Sequence, residues 1–273
     1  MRNLSTGRIL QLALLGILMV LTFYPFLFLL MNSLKTTPEF WMNPWWFSGS
    51  PEWVNYADAW EAIAPFMANS IVITVLATVG VLVMGCLTGF AFARFDFPGK
   101  QVFFHAILAM MMVPAVLMLI PSFILADRLE LIDTYWVMLL FYISGGQVLA
   151  IFLLRNFFEA IPEDFFSAAK IDGATTFQML RFIALPLCKP ILGTISIITA
   201  IAVWNNFLWP LVTTSRTDLK VITNGILEFA TEYGANYGTM FAGYIISALP
   251  MLVVILFCMR AFMRGLAAGG VKN

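Results

Sequence analysis

Charge is scarce in this 273-residue chain: Asp, Glu, Lys and Arg make up 11% of it, against roughly 25% in soluble domains. The balance is even, with 15 basic and 15 acidic residues, so no single-sign field marks a nucleic-acid partner. Cysteine is equally sparse. Cys86, Cys188 and Cys258 stand apart in or near apolar runs, without the spacing of a disulfide framework or a metal site. His105 is the one histidine and cannot build a metal centre by itself. A phosphate-binding loop is missing too. Gly99-Lys100 lacks the preceding glycine, and Gln101 replaces the Ser or Thr that would follow. Strand-period alternation is absent, which excludes a membrane barrel. No nucleophile constellation stands out, so the chain is not expected to be an enzyme.

What is present is apolar: 61% hydrophobic residues, with 26 Phe and 16 Met. The charges cluster and leave six long uncharged runs. These lie between Arg8 and Lys35, Glu61 and Arg94, Lys100 and Asp127, Asp133 and Arg155, Lys189 and Arg216, and Tyr233 and Arg260. Each supplies the roughly 20 residues needed to cross a bilayer as a helix. The expected fold class is therefore all-α, a polytopic membrane protein with six transmembrane helices. The expected helices are about 9–32 (kinked at Pro25), 66–93, 102–125, 135–154, 191–211 and 239–259. The first run has basic flanks at Arg2 and Arg8 but no small-residue cleavage site, and reads as a retained helix.

Basic residues set the orientation. With both termini in the cytoplasm, eleven of the 15 Lys and Arg fall inside: Arg2, Arg8, Arg94, Lys100, Arg155, Lys170, Arg181, Lys189, Arg260, Arg264 and Lys272. Lys35, Arg128, Arg216 and Lys220 fall outside. Residues 156–189 are then a cytoplasmic loop within one transmembrane domain spanning 1–273. The Asn3-Leu4-Ser5 sequon lies inside and carries no meaning.

That loop is the chain's organising stretch. Pro162 suits a first helical turn, and Glu163 and Asp164 suit a helix N-terminus. Phe165, Phe166, Ala168 and Ala169 make the short helix amphipathic, and Gly173 stops it. Such an element outside the membrane calls for a partner to cover its apolar side.

Elsewhere, Gly80, Gly85 and Gly89 with Ala91 and Ala93 would let a neighbouring helix approach closely. Met110, Met111 and Met112 read as core packing beside Pro114. Trp41, Trp45, Trp46, Trp53 and Trp60 crowd residues 36–65, either as a lipid-headgroup belt or as a partner surface. Ser144-Gly145-Gly146-Gln147 and Trp204-Asn205-Asn206-Phe207-Leu208-Trp209 are polar islands in apolar runs, costly to face toward lipid. Amides beside aromatic rings suit a sugar, whose hydroxyls they bond and whose C–H faces they cover; helix-to-helix hydrogen bonding is the plainer alternative. In a continuous helix Asn205 and Trp209 share a face. That makes them the expected path-lining pair, with Asn206 structural and Ser144 and Gln147 the next candidates.

Several of these residues carry a resemblance. Ala168, Ala169, Asp172, Gly173, Ala174, Leu185, Pro186 and Pro190 match the A-A-x-x-D-G-A…L-P-x-x-x-P signature of bacterial ABC importer permeases. Ser167 stands where that motif usually begins with Glu. Asn32-Ser33-Leu34-Lys35, Asn69-Ser70, Ala93-Arg94-Phe95, Phe97-Pro98-Gly99, Leu131-Ile132-Asp133-Thr134 and Trp204-Asn205 with Leu208-Trp209-Pro210 look like the maltose-type carbohydrate importers, in particular the smaller six-helix permease of the pair.

The resemblance implies a type I ABC importer permease fold in the bacterial inner membrane. It implies a second permease subunit, two ATPase subunits that hold ATP and Mg, and an extracytoplasmic solute-binding protein. It also implies that Glu163, Asp164, Ser167, Ala168, Ala169, Asp172, Gly173 and Ala174 form a helix coupling to the ATPase. Glycerol phosphate or a related polyol ester is the alternative cargo. An ion-coupled secondary transporter or membrane scaffold is the alternative class, disfavoured because the six runs carry no Asp, Glu, Lys or Arg.

Overall fold

Proline decides where several helices begin, end and bend. The computed structural model describes the backbone of residues 6–270 and the side chains of Gly7, Arg8 and residues 10–256. Arg2, the Asn3-Leu4-Ser5 sequon and Val271-Lys272 lie outside the described residues, as do the side chains of Cys258, Arg260 and Arg264. Among the described residues there are helices and no strands. In chain order they are α1 (Thr6–Ser33), α2 (Thr37–Met42), α3 (Val54–Arg94), α4 (Lys100–Met110), α5 (Leu119–Arg128), α6 (Tyr135–Glu159), α7 (Glu163–Ile171), α8 (Thr176–Met179), α9 (Leu185–Leu187), α10 (Lys189–Trp204), α11 (Leu208–Thr213), α12 (Ile222–Glu232) and α13 (Tyr237–Gly270).

Four of these, α1, α3, α6 and α13, contain stretches long and apolar enough to cross a membrane unaided. One of the six expected spans is bent: the third breaks by 99° between α4 and the Ala115–Arg128 segment. The fifth is interrupted between α10 and α11, and its α10 is met at 80° by Thr176–Leu187, part of the stretch expected as the cytoplasmic loop. The first break is chemical. Pro114 has no N–H to donate to the Met110 carbonyl four residues back, and its ring would clash with that carbonyl. α4 accordingly ends at Met110. Pro121 is harmless because it sits in the first turn of α5. The methionines at the break are not core packing within this chain: Met110, Met111 and Met112 are all exposed. The two stretches expected as loops also carry helices, α2 within 36–65 and α12 within 212–238.

The chain divides into two compact units, Met1–Ala64 with Gly225–Leu249 and Pro65–Asn224 with Pro250–Asn273. In the first, the Asn32-Ser33-Leu34-Lys35 end of α1 is a buried polar knot. Asn32, Ser33 and Lys35 have no solvent exposure. Lys35 Nζ donates to Asn32 Oδ1 (2.9 Å) and to the Asn43 carbonyl (2.7 Å). Asn55 Nδ2 donates to the carbonyls of Ser33 and Lys35, and Thr239 Oγ1 donates to Asn55 Oδ1. Burial lowers the Lys35 pKa from its ordinary value, opposed by the nearby Glu39 carboxylate. Phe40 stacks on Tyr237 at 4.7 Å beside this knot.

In the second unit, α3 packs on α6 through its small residues. A Cβ on Gly85 would lie 2.9 Å from Ala150 Cβ, and one on Gly89 2.9 Å from Leu154 Cβ and 3.2 Å from the Arg155 nitrogen. The glycine stripe is thus a contact with α6, and Gly146 answers it by lying against Val81. Asn69 and Ser70 tie α3 to the later chain. Asn69 Nδ2 donates to the carbonyls of Asp218 and Lys220, and Ser70 Oγ accepts from the Ile222 N–H. Asp133, in the left-handed region at φ 58°, receives the Ser215 hydroxyl and the N–H groups of Ser215 and Arg216. The Ser215 hydroxyl bond is the largest influence holding the Asp133 carboxyl below its ordinary pKa.

Candidate functional site

Two groups of residues were expected to act together, and the structure assembles one of them. Around α7, the sequence pattern becomes a defined shape. Pro162 caps the helix with extended backbone (ψ 137°), and Glu163 and Asp164 occupy the first turn. At the other end, the Ala174 N–H donates to the Ala169 carbonyl and the Gly173 N–H to the Lys170 carbonyl. With Gly173 at φ 78°, this is a Schellman motif. The A-x-x-D-G-A part of the signature is therefore a helix stop, and Gly173 is the residue that can adopt its backbone without strain.

The helix has two apolar sides. Phe166 is buried, and Ala169 packs beside it on the core formed by α3, α6 and α10. Phe165, Ala168 and Ile171 face out, Ile171 being 87% exposed. Phe177 and Phe182, in the segment that follows, are exposed as well. That segment starts with a capping box: Thr175 Oγ1 accepts from the Gln178 N–H while Gln178 Oε1 accepts from the Thr175 N–H. Ser167, Asp172 and Gly173 are exposed and Ala174 half-buried.

Arg94 was not singled out from the sequence as part of this element. Its guanidinium donates to the Glu163 carboxylate (2.6 Å) and to the carbonyls of Phe158 and Ile161 (2.5 Å each). It also lies 4.0 Å from the centroid of the Phe166 ring. The sequence marks it as the charged end of a long apolar run and as part of the Ala93-Arg94-Phe95 stretch, neither of which ties it to α7.

The second group does not form as expected. The fifth helix stops at Trp204 and resumes at Leu208, so Asn205 and Trp209 do not share a face. Pro210 explains the break, because in a continuous helix its ring would meet the Asn206 carbonyl. Asn206 then serves a freed backbone group, while Asn205 adds a second bond to a carbonyl that already accepts its own N–H. Asn205 Nδ2 donates to the Ile201 carbonyl, and Asn206 Oδ1 accepts from the Trp209 N–H. Asn205 is exposed, but Trp209 is buried at 2% exposure, stacked on Phe141 at 4.1 Å with its Nε1 donating to the Val137 carbonyl. Trp204 is buried too.

Trp209 instead shares a cavity of about 290 Å³ with Ser144, lined mainly by apolar side chains of α5 and α6. Gln147 lies elsewhere on α6, donating to the Val81 carbonyl, with its Oε1 buried and unpartnered. Asn206 is the structural amide: its oxygen accepts from the Trp209 N–H in the first turn of α11, and its own carbonyl receives the Thr223 hydroxyl. Asn206→Ala is expected to cost about 1 kcal/mol, as a lost hydrogen bond does, whereas Asn205→Ala should leave the melting temperature in detergent unchanged. Equal melting shifts in the two variants would contradict this assignment.

Comparison with known proteins places these shapes. Residues 82–268 match the family model described as "Binding-protein-dependent transport system inner membrane component". The chain is 30% identical over 261 residues to the diacetylchitobiose uptake system permease protein of Streptomyces coelicolor, covering 94% of this chain and 86% of that one. It is 30% identical over 262 residues to the sn-glycerol-3-phosphate transport system permease protein of Yersinia enterocolitica, covering 92% of each. A chain of a crystallised bacterial ABC transporter involved in the import of the acidic polysaccharide alginate superposes with a TM-score of 0.83 at 26% identity, over 96% of this chain and 98% of that one. A membrane bundle with an outward-facing apolar helix, matched along nearly its whole length, belongs to the family of binding-protein-dependent transport system inner membrane components, which are ABC importer permeases and not enzymes.

Proposed function

We propose that this chain is one permease subunit of an ATP-driven importer for a carbohydrate, and that both of its units serve a single permease domain. The reading includes a second permease subunit, two ATPase subunits that hold ATP and Mg, and an extracytoplasmic solute-binding protein. Both termini and residues 156–189 are cytoplasmic, and α7 docks on an ATPase subunit. Loaded binding protein and ATP shift the bundle between outward and inward states by binding one state better than the other.

The observation that carries this is α7 itself. It is a short helix with one apolar side packed inward and a second, Phe165, Ala168 and Ile171, left facing out. The family's other members supply the cargo class. The similarity to a glycerol-phosphate permease keeps a polyol phosphate as the second reading, and uptake assays with the cognate binding protein and each labelled solute separate the two. Asn205, with the cavity shared by Ser144 and Trp209, is the proposed stretch of the path. Trp204, Asn206 and Gln147 support it from behind.

Orientation is tested with single cysteines. In the assembled transporter, cysteines at Ser50 and Thr231 should react with an impermeant reagent from outside, and one at Lys170 should not. Outside labelling at Lys170 would remove α7 from the side where ATP is held.

A further inference from the structure

We infer that Arg94 is the positioning residue that makes α7 move with the bundle; this rests on the reading that α7 docks on an ATPase subunit. A short helix in a loop transmits nothing unless one of its ends is held. The C-terminal end of α7 rests on the core by the small apolar contacts of Ala169 and Ala174. It leaves through Gly173 in a left-handed conformation, with nothing within 4 Å of where a Cβ would stand, and Thr175 then starts a new helix with its own cap.

The N-terminal end is held from three directions by one side chain. Arg94, the last residue of α3, donates to the Phe158 carbonyl in the last turn of α6 and to the Ile161 carbonyl in the connection, and it pairs with Glu163 at the start of α7. Its guanidinium lies over the Phe166 ring one turn further on. That ring is tilted against Phe90 of α3 at 6.1 Å, and Phe90 meets Phe158 edge-on at 5.6 Å. Displacement of α7 therefore pulls on the ends of α3 and α6 together.

The chemistry requires arginine. A planar fork can serve two carbonyls and a carboxylate while lying on an aromatic face; the ammonium of lysine is a point charge that cannot do all of these. The charge pair is the lesser part. The Glu163 side chain is 58% exposed, while that of Arg94 is 13% exposed, and exposed pairs contribute little.

The test uses the complete transporter in proteoliposomes with substrate-loaded binding protein. It reads three quantities: the amount of assembled complex, ATP hydrolysed, and solute transported per ATP. For Arg94→Lys, assembly and stimulated hydrolysis should stay near normal while transport per ATP falls by about 10-fold or more, the pattern of lost transmission and not of lost binding. Asp96→Asn, which removes an exposed charge pair with Lys100 two residues beyond Arg94, should stay within about 2-fold. A normal transport-to-ATP ratio in Arg94→Lys overturns the proposal, as does an Asp96→Asn defect equal to it. Loss of assembled complex in both Arg94→Lys and Arg94→Gln assigns a structural role and overturns it too. An Ile171→Cys cross-link to the ATPase subunit separates the two levels. Its absence in an otherwise normal chain overturns the docking reading and this proposal with it. Its presence, with coupling unchanged in Arg94→Lys, overturns this proposal alone.

Discussion

Gly238→Ala is expected to remove the folded form of the unit that contains α1 and α2. A Cβ at this position would stand 2.1 Å from the Lys35 carbonyl oxygen and 2.4 Å from Asn55 Nδ2. Neither neighbour can step aside cheaply. The Lys35 carbonyl is bonded to that same Asn55 nitrogen at 3.0 Å. Asn55 in turn holds Ser33 and accepts from Thr239, and all of these residues are buried. Opening the knot strands several buried polar groups at about 1–3 kcal/mol each, against a total stability of roughly 5–15 kcal/mol. The measurements are the yield of monodisperse protein and the melting temperature in detergent. Gly145→Ala is the matched control, because its Cβ would meet nothing within 4 Å and alanine is the better helix former. A Gly238→Ala protein that melts with the parent would show that the knot yields more easily than its geometry implies.

Gly173→Trp is expected to abolish transport while leaving the bundle in the membrane. The strain is local: an L-residue in the left-handed region costs about 1–2 kcal/mol. The space around the position is open within this chain, so a tryptophan ring clashes with nothing of its own. What it obstructs is the surface that Asp172, Ala168 and Ile171 share. Transport should fall by about 100-fold or more, as expected when an indole is forced between two close-packed surfaces, and ATP hydrolysis should cease to respond to the loaded binding protein. Gly173→Asn, which tolerates this backbone, should retain most activity. Ser167→Ala should be mild, because Ser167 is exposed and carries no charge to lose. Normal uptake by Gly173→Trp would exclude this face as a docking surface.

Much of the fold was legible because membrane burial writes itself into composition. Four of the six uncharged runs correspond to single long helices and two to helices interrupted near a proline, and the small-residue stripe on α3 marked its contact with α6. What escaped was local backbone chemistry. Pro114 and Pro210 each announce a helix break four residues upstream, yet their runs read as continuous when judged by hydropathy. The break at Pro210 separates Asn205 from Trp209, whose pairing depends on unbroken helix. The α7 signature was readable because a Schellman stop constrains residue types at fixed spacing. Arg94's part in it was not, because its three acceptors come from the last turn of α6, the connection and the start of α7, and two of them are backbone carbonyls, which leave no mark in the sequence.

The bend at Met110 has a consequence in terms of solvation depth. At 1.5 Å per residue, the 11 residues of α4 extend about 16 Å and the 10 of α5 about 15 Å, each close to half of a hydrocarbon layer of roughly 30 Å. Bent by 99°, the two do not add up to a straight crossing, and the pair leaves its non-helical joint inside an apolar stretch of chain, where an unpaired amide away from water is costly. The joint's own hydrogen bonds meet that cost. Met111, Met112 and Val113 each donate their N–H to a carbonyl three residues back, Pro114 has none to donate, and Leu117 N–H returns to the Pro114 carbonyl. The chain turns a corner in oil by tightening its hydrogen bonds and placing an imino acid where a donor would have been stranded.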